Sequence, residues 1–122
     1  GVRGARGFLR LQSATNPSHW ANIEKGTPAV SKLWASAQSA QWKRENAGKG
    51  YFRLKNRWKG TYLHIERGNV EVSKIKKGWH SAMWKIEPDR KHRGYFCLKN
   101  RWKGTYLTNA SGKLKVIKGK CN

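Results

Sequence analysis

Apolar and polar residues alternate over short runs along much of this chain, as in Phe52-Arg-Leu54, Leu63-His-Ile65, Val70-Glu-Val72 and Ala82-Met-Trp84-Lys-Ile86. A period of two, interrupted by glycine, predicts half-buried strands, and Lys59-Gly60, Arg67-Gly68 and Lys77-Gly78 suit the tight turns between them. In this register Phe52, Leu54 and the closing tryptophans Trp42 and Trp84 face inward, while His64, set between Leu63 and Ile65, faces solvent.

The pattern also repeats. Leu54-Lys-Asn-Arg-Trp-Lys-Gly-Thr-Tyr-Leu63 recurs unchanged as Leu98-Lys-Asn-Arg-Trp-Lys-Gly-Thr-Tyr-Leu107, 44 positions later. A more diverged copy lies upstream, where His19-Trp-Ala-Asn-Ile-Glu-Lys-Gly26 aligns with Thr61-Tyr-Leu-His-Ile-Glu-Arg-Gly68 and Ser39-Ala-Gln-Trp42 with Ser81-Ala-Met-Trp84. Only residues 30–41 carry anything like a helical stripe, and their equivalence to a strand-like segment of the second copy argues against a long helix. The copies run over residues 7–49, 50–93 and 94–122, each opening on Gly7-Phe, Gly50-Tyr or Gly94-Tyr. After Lys118-Gly-Lys-Cys-Asn122 the third copy has no counterpart of Trp79 to Glu87. Three units of four short strands predict an all-β fold, a β-trefoil forming one domain over 1–122, with the third repeat truncated before its closing strand. A propeller of similar blade length needs at least four blades.

The order of features within a unit resembles the ricin-B-like (R-type lectin) β-trefoils over residues 7–122: an opening aromatic strand, an Asn-x-x-x-Gly turn at Asn56 to Gly60 and Asn100 to Gly104, a Tyr-Leu strand and a closing Trp. That family closes each unit with Gln-x-Trp, whereas Ala40 and Ala82 stand two residues before Trp42 and Trp84 here. The acidic residue that anchors a sugar hydroxyl early in each unit of the family is also missing, so the resemblance assigns no sugar-binding residue.

Charge changes the functional picture. The 122 residues hold 27 Lys and Arg against six Asp and Glu, a net charge of +21. Residues 94–122 contain no acidic residue, and Lys113, Lys115, Lys118 and Lys120 crowd their end. Such a surplus opposes folding by self-repulsion and points to a polyanionic partner. Acidic or sulfated glycan, nucleic acid, anionic membrane and a mineral surface all fit the electrostatics. No apolar run is long enough for a transmembrane helix, and Gly1-Val-Arg-Gly-Ala-Arg has no signal-peptide pattern. The absence of an initial Met fits either a processed product or a trimmed chain.

The duplicated turn locates a candidate site. At a hairpin tip Trp58 and Trp102 expose aromatic faces flanked by Arg57, Lys59, Arg101 and Lys103, with Asn56 and Asn100 at the base of each turn. Such a platform stacks on a sugar ring or a base while its cations neutralise acidic groups. The competing reading is that each Trp folds back over the barrel end. The first unit has Ser13-Ala-Thr-Asn-Pro-Ser18 in place of the turn, leaving two sites and not three. No nucleophile stands in a catalytic frame with His or Asp, the repeat-equivalent Glu24 and Glu66 suit turn anchoring, and His19, His64, His80 and His92 lack zinc-ligand spacing. No enzyme activity, cofactor or metal is expected.

Cys97 replaces Arg10 and Arg53 of the other copies on what the alternation makes an outward position, and Cys121 is next to last. A bond between them would tie the unfinished third unit to its own first strand, worth about 3 kcal/mol on the chain-entropy model, and would imply an oxidising compartment. Free thiols or a bridge to another chain are the alternatives. The missing strand leaves backbone edges near Gly7 to Leu11 and Gly94 to Leu98; Gly1 to Arg6 could fold across the gap but is short, Gly-rich and without a Trp, which predicts closure by a neighbouring subunit in a homo-oligomer or filament. The sequence therefore reads as a secreted, non-enzymatic, lectin-like trefoil that binds an anionic glycan. The runner-up is a matrix or filament protein organising silicate, phosphate or another polyanionic scaffold, and nucleic-acid binding stands third.

Overall fold

Twelve short antiparallel strands, four of them in each of the first two repeats, make up the computed structural model, which describes residues 2–3 and 7–121. The chain enters through β1 (Val2–Arg3). The first unit holds β2 (Phe8–Arg10), β3 (His19–Asn22), β4 (Ala29–Lys32) and β5 (Trp42–Gly48), and the second β6 (Tyr51–Asn56), β7 (Tyr62–His64), β8 (Glu71–Ser73) and β9 (Trp84–Pro88). The third holds β10 (Phe96–Asn100), β11 (Tyr106–Ala110) and β12 (Lys113–Ile117). Short 3-10 turns at Gln38–Ala40 and His80–Ala82 lead into β5 and β9, and there is no α-helix among the described residues.

The last strand of one unit runs along the first strand of the next, Trp42 opposite Asn56 and Trp84 opposite Asn100. Within a unit the first strand also meets the last, Leu9 opposite Trp42 and Phe52 opposite Trp84. The remaining strands form three hairpins, β3–β4, β7–β8 and β11–β12. This is the β-trefoil expected from the repeats. Alternation sets the core: on β6, Phe52 and Leu54 are buried while Tyr51, Arg53 and Lys55 are half-exposed. Trp42 and Trp84 are fully buried at equivalent positions, and each indole N–H donates to a carbonyl of its own unit's second strand, Ala21 at 3.2 Å and Leu63 at 3.0 Å. Glu24 and Glu66 anchor turns as their equivalence suggested, each accepting from the hydroxyl of Ser39 or Ser81 at 2.6 Å.

Three expectations are corrected. His64 is buried, with its Nδ1 accepting from the Glu66 N–H at 3.1 Å and its Nε2 2.6 Å from the Ser73 hydroxyl. Leu63, His64 and Ile65 are buried in succession, so the alternation of inward and outward positions does not hold here. Cys97 is buried as well, bonded to Cys121 with Cα atoms 5.9 Å apart. Ile86, placed in phase with Trp84 by the alternation, is exposed. The barrel edge is also narrower than expected: β1 lies antiparallel on β2, Val2 opposite Arg10 and Arg3 opposite Leu9. The unpaired stretch falls on β10, which among the described residues lacks the partner that β9 provides to β6.

Candidate functional site

Each duplicated turn grows out of the end of a barrel strand. Asn56 and Asn100 are fully buried and build the turn from beneath. The Asn56 Oδ1 accepts from the backbone N–H of Trp58 at 3.0 Å and of Lys59 at 3.3 Å, and the Asn100 Oδ1 from those of Trp102 at 2.9 Å and Lys103 at 3.4 Å. Each Nδ2 donates to the preceding unit, to the Ser39 carbonyl at 2.9 Å or the Ser81 carbonyl at 2.8 Å. The side chains therefore satisfy backbone donors that the turn would otherwise leave unpaired. Gly60 and Gly104 close the turns with φ of +70° and +68°, a conformation that favours glycine. The polar atoms of both asparagines, which the sequence placed in the candidate site, are thus engaged inside the fold.

The cations of the turn divide into held and projecting groups. Arg57 donates to the Gln41 Oε1 at 2.7 Å and lies over the Phe8 ring at 4.4 Å, and Arg101 lies over Tyr51 at 4.7 Å with an N–H 3.3 Å from the Met83 sulfur. Both guanidiniums brace the turn against the preceding unit. Lys59 and Lys103 are exposed, their ammonium groups 4.2 and 4.3 Å above the Trp58 and Trp102 rings. Each tryptophan is 43% exposed, so neither folds away as a lid over the barrel end. The result is a pair of matching surface units, each an indole with its own lysine.

Beside each turn lies a second duplicated group that the sequence reading missed. Tyr62 donates to Glu45 at 2.8 Å and Tyr106 to Glu87 at 2.7 Å, with Lys55 and Lys99 over the respective tyrosine rings at 5.9 and 5.6 Å. Burial followed by the bond to Glu45 holds the Tyr62 phenol above its ordinary pKa, and for Tyr106 the bond to Glu87 leads. The signal was present, since Glu45 and Glu87 each stand three residues after a closing Trp. The Thr61 and Thr105 hydroxyls, buried without a hydrogen-bond partner among the described residues, complete the repetition.

In the first unit the turn is replaced by a polar loop without an aromatic, in which the Ser13 hydroxyl accepts from the Asn16 N–H at 3.2 Å. Lys113 and Lys115 are exposed on β12 on either side of buried Leu114, and Lys118 and Lys120 are exposed beyond it. They widen the basic surface without joining a turn. Asp89, Cys97 and Cys121 bring possible metal-ligating atoms within 4.8 Å of one another, but both sulfurs are engaged in the disulfide.

No protein-family model matches the sequence, and no curated protein matches it in sequence. Among solved structures, the fold is similar to part of the endo-β-galactosidase of Clostridium perfringens that releases GlcNAcα1-4Gal (27% identity, TM-score 0.79), covering 92% of this chain and 28% of that one. The designed threefold-symmetric protein ThreeFoil matches at 21% identity over 95% of this chain and 91% of its own, with a TM-score of 0.75. The Polyporus squamosus lectin, solved with the epitope Neu5Acα2-6Galβ1-4GlcNAc, matches at 18% identity over 100% of this chain and 47% of its own, with a TM-score of 0.75. The resemblance to ricin-B-like trefoils is borne out at the level of the fold.

Proposed function

We propose that this chain is a secreted, non-enzymatic carbohydrate-binding module whose ligand is an anionic glycan, held by the Trp58–Lys59 and Trp102–Lys103 turns. The observation that carries this reading is the exact-sequence duplication of an exposed aromatic and cation on a surface of net charge +21. An indole face stacks on the apolar face of a sugar ring, and an adjacent ammonium neutralises a sulfate or carboxylate on the same or the next residue. The lysine is the movable partner, because its stem is flexible and its head is solvated. The arginines, braced against Phe8 and Tyr51, keep the turn rigid beneath it.

The structural neighbours support the carbohydrate class: one is a lectin bound to a glycan ending in an acidic sugar, and another is an enzyme acting on a galactoside. The Cys97–Cys121 bond supports an oxidising compartment. Two equivalent sites also favour a repeating polymer over a single terminal sugar, since a chain long enough to reach both gains affinity through effective concentration. A glycan array with sulfated, uronic, sialylated and neutral members tests the class. Retention of acidic members with loss of neutral ones supports the proposal, and selective capture of neutral galactosides contradicts it.

A further inference from the structure

The connection between the second and third units departs from the repeat in both length and charge. From the closing Trp to the glycine that opens the next unit it is two residues longer than its counterpart, Trp84 to Gly94 against Trp42 to Gly50, and it holds Arg90-Lys91-His92-Arg93. The shorter connection turns on Asn46, whose Oδ1 accepts from the Gly48 N–H at 2.9 Å. Joining one unit to the next therefore requires no run of cations.

Asp89 builds the longer turn from beneath. It is buried, its Oδ1 accepts from the backbone N–H of Lys91 at 2.9 Å and of His92 at 3.0 Å, and its Oδ2 lies 3.1 Å from the His92 Nδ1. The Asp89 N–H donates to the Tyr95 carbonyl at 3.0 Å and the Tyr95 N–H to the His92 carbonyl at 3.1 Å, which closes the loop. The acid of the turn is directed inward, whereas Arg90, Lys91 and Arg93 are exposed, and among the described residues none of these three is ion-paired. The Cys97 and Cys121 sulfurs lie within 4.8 Å of an Asp89 carboxylate oxygen, which brings the segment bearing the exposed Lys118 and Lys120 to the foot of the same turn.

We infer that the turn of residues 90–93 is a separate anion site that takes the clustered sulfate groups of a glycan. Each guanidinium presents a fork of N–H donors that fits two oxygens of a sulfate as it fits those of a phosphate, and a turn already fixed by Asp89 loses little freedom on binding. A short run rich in Lys and Arg is the electrostatic footprint of such a partner. Residues 90–94 hold no Phe, Tyr or Trp, so the contact is one of charge and gives a nucleic-acid base nothing to stack on. This turn and the Trp102 turn stand at opposite ends of β10, whose five residues span about 17 Å, so a sulfated polymer that reaches both gains affinity through effective concentration. The ligand class rests on the carbohydrate reading above, but the site is independent of the tryptophans.

The test is calorimetric titration of a sulfated oligosaccharide into the parent and two charge-matched triple variants. One carries Arg90→Ser, Lys91→Ser and Arg93→Ser; the other carries Lys74→Ser, Lys76→Ser and Lys77→Ser, which removes the same charge from exposed lysines of another loop. The turn variant should lose at least about tenfold in affinity and the lysine variant less than about threefold. Backbone chemical shifts of Arg90, Lys91 and Arg93 should move on binding, both in the parent and in the Trp58→Ala, Trp102→Ala variant. Should the turn variant melt well below the parent, the chemical-shift map alone decides. Equal losses in the two triple variants, or shifts that bypass the turn or vanish with the tryptophans, would overturn the inference and leave the glycan reading standing. No binding of the oligosaccharide by the parent would overturn both. A short DNA duplex or phosphatidylserine vesicles binding at least as tightly, with that binding lost in the turn variant, would assign the turn to another polyanion and equally overturn it.

Discussion

Asn22 and His64 hold the same place in successive units and make the same two hydrogen bonds. Asn22 accepts from the Glu24 N–H at 2.9 Å and donates to the Ser31 hydroxyl at 2.9 Å, while His64 accepts from the Glu66 N–H at 3.1 Å and lies 2.6 Å from the Ser73 hydroxyl. Acceptance at Nδ1 fixes the neutral tautomer with its proton on Nε2, directed at Ser73. A protonated ring would lose the bond from Glu66. Burial is the leading cause that lowers the His64 pKa below its ordinary 6.5, partly opposed by Glu71 and Glu66 and assisted by Arg67. The Trp79 ring packs edge-on against it at 5.6 Å.

Stability should therefore depend on pH through this residue. Above the ordinary value both folded and unfolded chains carry a neutral ring, and the contribution is complete. As the pH falls below 6.5 the unfolded chain gains a proton that the folded chain resists, so stability is lost. His64→Asn copies the arrangement already used by Asn22 and should fold. The decline in urea midpoint between pH 7.5 and 5.5 is expected to be shallower in this variant than in the parent, and equal slopes would remove His64 from the account.

Asn56 and Asn100 should govern stability more than ligand contact. Asn56→Ala removes the acceptor of two backbone N–H groups and one of the two donors to the Ser39 carbonyl, which keeps the Ile23 N–H, a loss of about 1–3 kcal/mol when buried partners are left unmet. Trp58→Ala removes an exposed ring and should leave the melting temperature within a few degrees. Chemical denaturation of the two variants side by side checks the contrast, which vanishes if the ring and not the asparagine supports the barrel.

The disulfide should matter measurably. Cys97 and Cys121 close a loop of sequence separation 24 within the unit formed by β10, β11 and β12. Reduction is expected to lower the unfolding free energy by about 3 kcal/mol on the chain-entropy model. Urea curves with and without a reductant measure this directly, and coincident curves would mean that the packing of β10 to β12 holds this unit unaided.

Much of the trefoil was legible because repetition and alternation are both local signals: one identifies the unit, the other its strands. Burial of Trp42 and Trp84 followed from their shared register. His64 was not legible, since its inward turn depends on Ser73 and Trp79, partners outside the alternation that placed it. Asn56 looked like part of an exposed turn, and only the Ser39 carbonyl from the preceding unit shows why its side chain faces inward. The Tyr62–Glu45 and Tyr106–Glu87 pairs were visible as repeated residue types, but their contact requires the strand pairing that brings adjacent units together. The exposure of Phe96 and Ile86 was not legible either, since it depends on how β9 and β10 lie in the sheet and not on the alternation.

Electrostatics predicts strong salt dependence of glycan binding. Neutralising several acidic groups releases condensed cations from the polymer, so affinity for a sulfated glycan should fall at least about tenfold between 0.1 and 0.5 M salt. Titration at three salt concentrations gives the slope. A flat response would assign binding to ring stacking and neutral hydrogen bonds and leave the +21 surplus without a role in it.

The central claim is that the two matching turns are the ligand contact. Its most direct measurement is calorimetric titration of a sulfated oligosaccharide into the parent and the Trp58→Ala, Trp102→Ala double variant, each checked for folding by its melting curve. Retained folding with binding weakened by at least about thirtyfold is the expected result, each stacking contact being worth about 1–3 kcal/mol by analogy with base stacking. Unchanged affinity in a folded double variant would contradict the claim and move the site to another part of the basic surface.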